Sequence, residues 1–383
     1  MAGAVRALLL CALVFLLTAA PAGAAGREVP HGFFGVMADG VLLERTDAQL
    51  AHEFDVMRAS GVESVRIVVY WSDLQPAPPG SAVPDGWRAG RGGVPTTFAK
   101  CDRLFEQAAR HSMTILPVIL RSPAWARENP SLYTSPPRRD ADYTNLLGTL
   151  IDRYGPHGSF WREHRDVPRR PQRDWQIWNE PNIDRYWGSP VPFPHRYAQL
   201  LRASYRAIKK ADPGARVVLT GFANFSWRAL AQAYRAGIKG YFDLAAVHPF
   251  SAHLKNVLEI VRLNREVMAR YGDARKDIAI SELTWPSAKG KTVNHGIWET
   301  TEGGQAVRLR AAFDALLRER VRWRIERMTW STWLTPDANS PNSFDWSGLR
   351  KLDPADPSGE PIDKPALAAY RAIALRMEGR ARG

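Results

Sequence analysis

Asn179-Glu180-Pro181 closes an alternating stretch, Asp174-Trp175-Gln176-Ile177-Trp178. The alternation of polar and apolar residues predicts a short buried strand over Asp174–Trp178. Pro181 ends the ladder, because it lacks a backbone donor and forces the residue before it into extended geometry. An amide and a carboxylate therefore meet at the C-terminal tip of a strand. Another acid takes the same position further on, where Asp277-Ile278-Ala279-Ile280-Ser281-Glu282 reads as a strand ending in glutamate. Two carboxylates at two strand ends suit the cleavage of a glycosidic bond, which needs one protonated and one ionised carboxyl group. The plain alternative is that Glu180 and Glu282 are ordinary solvated acids at loop starts.

The elements that would position these acids recur along the whole chain. Predicted strands cover Phe33–Met37, Ser64–Tyr70, Met113–Ile119, Asp174–Trp178, Arg216–Thr220, Phe242–Val247, Asp277–Glu282 and Arg327–Trp333. Helical segments separate them. The first is opened by Thr46 with Gln49 three positions on, a capping box, and closed by Gly61. Strand and helix alternating in this way predict the α/β class and a single (β/α)8 TIM barrel over residues 26–383. Catalytic groups gather at the C-terminal ends of barrel strands, where Glu180 and Glu282 both fall. A long Pro/Gly-rich loop through Pro95 belongs to the same edge, and the polar, basic segment 155–173 belongs to the opposite one.

Residues 1–25 read as a signal peptide: Arg6, an apolar run from Ala7 to Ala20, and a small-residue site at Ala22-Gly23-Ala24. That run is too short to span a bilayer comfortably, so no membrane span is expected after cleavage. Losing Arg6 takes the net charge from +13 to +12 and, with Cys11 gone, leaves Cys101 as the one thiol. Secretion without dependence on an intramolecular disulfide follows. The arginine excess is spread over many helices, as on a solvated basic surface, and would also attract anionic glycans. Nucleic-acid binding has no motif behind it. The histidines and the remaining cysteine show no metal-ligand spacing, so neither a metal nor a cofactor is expected. A monomer is expected.

Trp-Asn-Glu-Pro at 178–181, with Ile-Ser-Glu at 280–282, resembles the clan of retaining β-glycosidases built on the TIM barrel. The chain looks most like the cellulase-type and β-xylosidase-type families, numbered 5 and 39. The resemblance implies hydrolysis of β-linked oligo- or polysaccharide by double displacement, with Glu180 as acid/base and Glu282 as nucleophile. It implies that Arg66, otherwise costly inside an apolar strand, reaches towards the nucleophile, and that Asn179 hydrogen-bonds the sugar 2-hydroxyl. Like charges a few Å apart resist ionising together, so Glu282 favours a protonated Glu180.

The likeness extends to Trp71 after the second strand, Trp125 in a Pro-x-Trp-Ala pattern, Trp285, and Trp333 on the last strand. As substrate-binding residues these indoles would stack on sugar rings; core packing is the ordinary alternative for each. One departure stands out. Where relatives carry His-x-Tyr, this chain has His248-Pro249-Phe250. His248 remains a candidate substrate contact, but the nucleophile loses its usual phenol partner, for which Tyr70 is a candidate replacement. A second functional class, a non-catalytic carbohydrate-binding or cell-surface protein on an inactive barrel, stays open because fold does not fix function.

Overall fold

The computed structural model describes residues 26–189, 191–292 and 298–380; the expected signal peptide lies outside the described residues. Eight strands form a closed barrel: β1 (Phe34–Ala38), β2 (Ser64–Tyr70), β3 (Thr114–Leu120), β4 (Asp174–Ile177), β5 (Arg216–Leu219), β6 (Leu244–Val247), β7 (Asp277–Leu283) and β8 (Ile325–Trp330). Every pairing is parallel, and β1 meets β8 with Phe34 opposite Met328. Between and after them run α1 (Asp47–Ala59), α2 (Ala99–Arg110), α3 (Asp140–Tyr154), α4 (Phe193–Ala211), α5 (Ser226–Arg235), α6 (Leu254–Arg270), α7 (Glu302–Trp323) and α8 (Pro365–Met377). This is the single (β/α)8 barrel that the strand–helix alternation predicts.

Side chains on a strand alternate between faces, and both faces here are covered. Leu116, Val218, Leu244, Ala246 and Ala279 form a small apolar cluster of their own, contributed by β3, β5, β6 and β7. The much larger remainder of the core packs strands against the helix ring. On β2 the period of two puts Arg66, Val68 and Tyr70 towards the cleft, while Val65, Ile67 and Val69 pack into that larger core. An arginine on the inward face of a barrel strand must find partners inside, which decides much of the site's geometry.

The N-terminal ends of the strands are held by charge. Arg216 donates to Asp174 at 2.8 Å and to Glu326 at 2.7 Å, and Arg327 donates to Asp174 at 2.5 Å, joining β4, β5 and β8. Burial alone would push the Asp174 carboxyl up, but Arg327 and Arg216 hold it below its ordinary value. Near this end Glu28 donates its N–H to the Met377 carbonyl at 2.8 Å, so the first and last described segments touch. Thr46 and Gln49 form the expected capping box at α1. Gly61 has φ 83°, and a Cβ there would lie 2.7 Å from that of Ala374 on α8.

Some boundaries differ from the sequence expectation. β4 stops at Ile177, because Trp178 takes a left-handed φ of 63°. β8 runs Ile325–Trp330 and not Arg327–Trp333: Arg324, with φ 54°, ends α7 and starts the strand earlier. Segment 155–173 contains a short helix, Ser159–Glu163. Past β8 the chain forms a small sheet from Leu334–Thr335, Arg350–Lys351 and Ile362–Asp363. Buried Lys364 beside it donates to Asp337 at 2.9 Å, Ser287 Oγ at 2.8 Å and the Trp346 carbonyl at 2.9 Å, pinning the loops after β7 and β8 together.

Candidate active site

Arg66 organises the cleft at the C-terminal ends of the strands. It is 1 % exposed, and its nitrogens donate to Gln176 at 3.0 Å, Asn179 at 2.9 Å and Glu282 at 2.7 Å. One guanidinium thus ties β2 to the tips of β4 and β7. Its planar fork allows this, whereas an ammonium would offer one point of charge. Arg66 and Glu282, two of the sequence-predicted site residues, are thus brought into direct contact. Asn179 spends its side-chain oxygen on Arg66, so its NH2 group is left to donate into the cleft that it lines.

The tip of β4 is built against backbone preference. Trp178 and Glu180 have φ of 63° and 41°, which cost non-glycine residues roughly 1–2 kcal/mol each. The surroundings impose it. Tyr197 on α4 donates to the Ile177 carbonyl at 3.0 Å, Trp178 Nε1 to the Tyr186 carbonyl at 2.7 Å, and Glu180 N–H to Gly221 O at 3.1 Å. Such over-determined strain is common at functional sites.

His248, 1 % exposed at the end of β6, lies between the two acids. Its Nδ1 is 2.7 Å from Glu180 Oε1 and its Nε2 is 3.6 Å from Glu282 Oε1. One oxygen of each glutamate and a ring nitrogen of His248 lie within 4.8 Å of one another. The ring lies hard against Gly221, where a Cβ would come within 2.2 Å of Nε2. These three donors are the one cation-sized cluster among the described residues. Arg66 on Glu282 opposes a second positive charge there, and His248 already satisfies Glu180. His248 does not line the cleft; its position is that of a spacer between the acids, behind the surface a ligand would touch.

The open cleft of about 840 Å³ is lined by Asn179, Glu180 and Glu282 together with residues that sequence reasoning did not single out. Asp39, past β1, accepts from Thr332 Oγ1; burial and the Glu282 charge push its carboxyl up, while Thr332 and Arg66 oppose the shift. Tyr186 lines the cleft, and burial together with the charges of Glu282 and Glu180 pushes its phenol up, keeping it a donor. Its place six positions after Glu180 was the available signal. Phe250, Trp298 and Phe344 form an aromatic wall, with Phe250 centroid distances of 6.1 Å to Trp298 and 5.6 Å to Phe344.

The four tryptophans named as sugar-stacking residues lie elsewhere. Trp71, Trp285 and Trp333 are at most 1 % exposed, Trp125 is partly buried, and none lines the cleft. Each indole N–H is used internally: Trp71 on Gln75, Trp125 on the Gln75 carbonyl, Trp285 on the Ala252 carbonyl and Trp333 on Glu53. They pack the barrel wall because that is where large apolar faces leave water. Ser331 and Thr332, just before Trp333, line the cleft where that indole was expected. Tyr70 lines it too, yet its ring faces Arg121 at 4.1 Å and no phenol among the described residues hydrogen-bonds Glu282.

No protein-family model and no curated protein matches the chain. Solved structures do. A family 39 glycoside hydrolase from the gut symbiont Bacteroides cellulosilyticus WH2 superposes with a TM-score of 0.61 and 18% identity, over 91% of this chain and 64% of that one. The chain therefore spans less than two thirds of that protein's length. A monomeric β-xylosidase from Caulobacter crescentus CB15 gives 0.60 and 18%, over 91% of this chain and 69% of that one. A GH5_18 protein of Streptomyces cattleya in complex with Manb1-4GlcNAc gives 0.63 and 15%, over 91% and 82%. At such identities the likeness carries the architecture: this chain has the (β/α)8 barrel fold that these glycoside hydrolases have.

Proposed function

We propose that this chain is a retaining glycosidase acting on β-linked oligo- or polysaccharide. The observation that carries the reading is the pair Glu180 and Glu282, with carboxylate oxygens within 4.8 Å across His248 in an open cleft. Retaining enzymes hold the two carboxyl groups about 5–5.5 Å apart, inverting ones about 6.5–9.5 Å apart to admit a water. Names attached to the similar folds (family 39 hydrolase, β-xylosidase, Manb1-4GlcNAc complex) agree in carbohydrate chemistry.

In this reading Glu282, with Arg66 neutralising its charge, attacks the anomeric carbon. Glu180 gives its proton to the leaving oxygen. A His248 Nδ1–H donated to Oε1 leaves Oε2 as the protonated oxygen facing the substrate. The ester then removes the Glu282 charge, and Glu180 takes a proton from the incoming water. Asn179 donates from its NH2 group to the sugar 2-hydroxyl, a bond that strengthens as positive charge grows at the anomeric centre.

Purified protein with a panel of aryl β-glycosides and β-linked polysaccharides tests the activity, and NMR of the first-formed anomer tests the mechanism. Initial release of the inverted anomer rules out double displacement. Binding of oligosaccharide without turnover favours the inactive-barrel alternative. Export, cleavage near Ala24 and a monomeric state are part of the same proposal. N-terminal sequencing of secreted protein checks cleavage, with a start near Ala25 expected. Among the described residues no helix is long and apolar enough to cross a membrane.

A further inference from the structure

Two arginines on the cleft lack a carboxylate partner. Arg121, at the end of β3, has a left-handed φ of 60°, and its guanidinium lies 4.1 Å from the Tyr70 ring centroid and 5.2 Å from that of Tyr133. Arg185, on the loop that begins at Glu180, lies 5.8 Å from the Tyr186 ring. All these side chains line the cleft. Neither arginine is ion-paired among the described residues, and the residues outside them include no Asp or Glu. Buried arginines elsewhere are paired with acids, as Arg153 is with Asp102, Arg327 with Asp174 and Arg350 with Glu53, or spend their N–H groups on backbone carbonyls, as Arg45 does on Pro357 and Arg265 on Trp323.

Of the acids near the cleft, exposed Asp184 beside Arg185 has no side-chain partner among the described residues, and the others are already engaged. Glu282 has Arg66, Glu180 has His248 and Asp39 has Thr332. Asp345 accepts from Ser340 and Asn342, and Asp73 is held by Lys100 at 2.8 Å. Behind Arg121, Arg127 bonds only to the Ser122 and Pro130 carbonyls, and burial with the Arg121 charge pushes its guanidinium down. Arg121 and Arg127 thus place positive charge beside the cleft without an ion pair among the described residues, in a chain of net charge +13 whose field draws anions in.

Building on the glycosidase reading, we infer that the glycan taken by this cleft is anionic, and that Arg121 and Arg185 bind its carboxylate or sulfate groups. A guanidinium fork matches either group with two parallel hydrogen bonds. Tyr133, 57 % exposed beside Arg121, offers a face for the sugar ring that bears the charge.

Four substrates form the test: a β-linked oligosaccharide containing glucuronate, its carboxyl-reduced counterpart, a sulfated β-glycan and its desulfated form. The acidic member of one pair is expected to show the higher kcat/KM, and the pair that does so identifies the group. Arg121→Gln and Arg185→Gln should each lower the acidic-to-neutral ratio by about tenfold, the worth of a charge-assisted hydrogen bond. Arg121→Lys should recover part of it, and added salt should lower turnover of the acidic substrate alone. Equal turnover of acidic and neutral members, with ratios unmoved in the variants, overturns the inference and leaves the glycosidase reading standing. If nothing is cleaved, calorimetry with the same acidic oligosaccharides decides separately. Binding that the Arg121→Gln/Arg185→Gln double variant loses supports the anion site while the hydrolase reading falls. Absence of binding overturns the site.

Discussion

Arg66 donates to the amide oxygen of Asn179 at 2.9 Å while its other terminal nitrogen donates to Glu282 at 2.7 Å. One side chain therefore bears on both the charge at Glu282 and the direction in which the amide points. Arg66→Gln should lower kcat about 10²–10³-fold, the range found when one donor at a developing charge is removed. Arg66→Lys should fall between, keeping a charge but not the fork that holds Gln176, Asn179 and Glu282. Steady-state kinetics with an aryl glycoside, checked by circular dichroism for folding, measures this. A change confined to KM would count against the assigned role.

Loss of each glutamate should have its own chemical outcome. Glu180→Ala should still glycosylate on an activated dinitrophenyl glycoside and then stall, and azide should restart it and yield the β-azide. Glu282→Ala should be inactive with every leaving group, and any azide product should be the α-anomer. Product NMR distinguishes the two, and exchanged anomers would mean exchanged roles.

Phe250 occupies the place where a phenol was expected, and Tyr186 feels the charges of both glutamates. The Tyr186 phenol bonds neither glutamate in the free protein, so its donor is expected to engage only once substrate is bound, and Tyr186→Phe should then lower kcat about tenfold. Adding Phe250→Tyr to that variant should restore activity in part. A Tyr186→Phe enzyme with unchanged kcat and pH profile would remove Tyr186 from the mechanism.

Lys364 and Asp337 form an ion pair with side chains 0% and 2% exposed. Burial pushes the ammonium down, and Asp337 pulls it back up. Asp337→Ala leaves that ammonium buried without its carboxylate and should cost about 3–5 kcal/mol of stability. Denaturant unfolding measures it. A simultaneous Lys364→Met should recover much of the loss.

Glu378, beyond α8, has its carboxyl pushed up to about 7 by burial and the nearby Glu63 charge, with Arg380 opposing. The folded state thus binds this proton more tightly than the unfolded chain, whose glutamate titrates near 4.3. Its stabilising effect is full below that value and lost as pH rises towards 7. Glu378→Gln should therefore flatten the decline of thermal stability between about pH 4 and pH 7. An unaltered Tm–pH curve would contradict this.

The barrel was legible because strand and helix periods differ and repeat along the chain. The acids were legible because Pro181 and the alternation before it mark where a strand must stop. Indole placement was not legible. A tryptophan after a strand suits a cleft and a barrel wall equally, and Trp71 settles on the wall, packed edge-on against Trp125 and Tyr143 with Gln75 one turn away to accept its N–H. Tyr186, Asp39 and Arg121 were missed because their places depend on loop conformation, including left-handed backbone at Arg121, which no local pattern announces.

The contact between Glu28 N–H and the Met377 carbonyl lies by the strand starts, away from the cleft. A short linker could join residues 28 and 377 there, and the backbone could be opened instead in an exposed loop without cutting a barrel strand. The same contact sets how the molecule presents itself when immobilised. Attached to a bead through a tag inserted beside Glu28 or Met377, the barrel would turn its cleft outward.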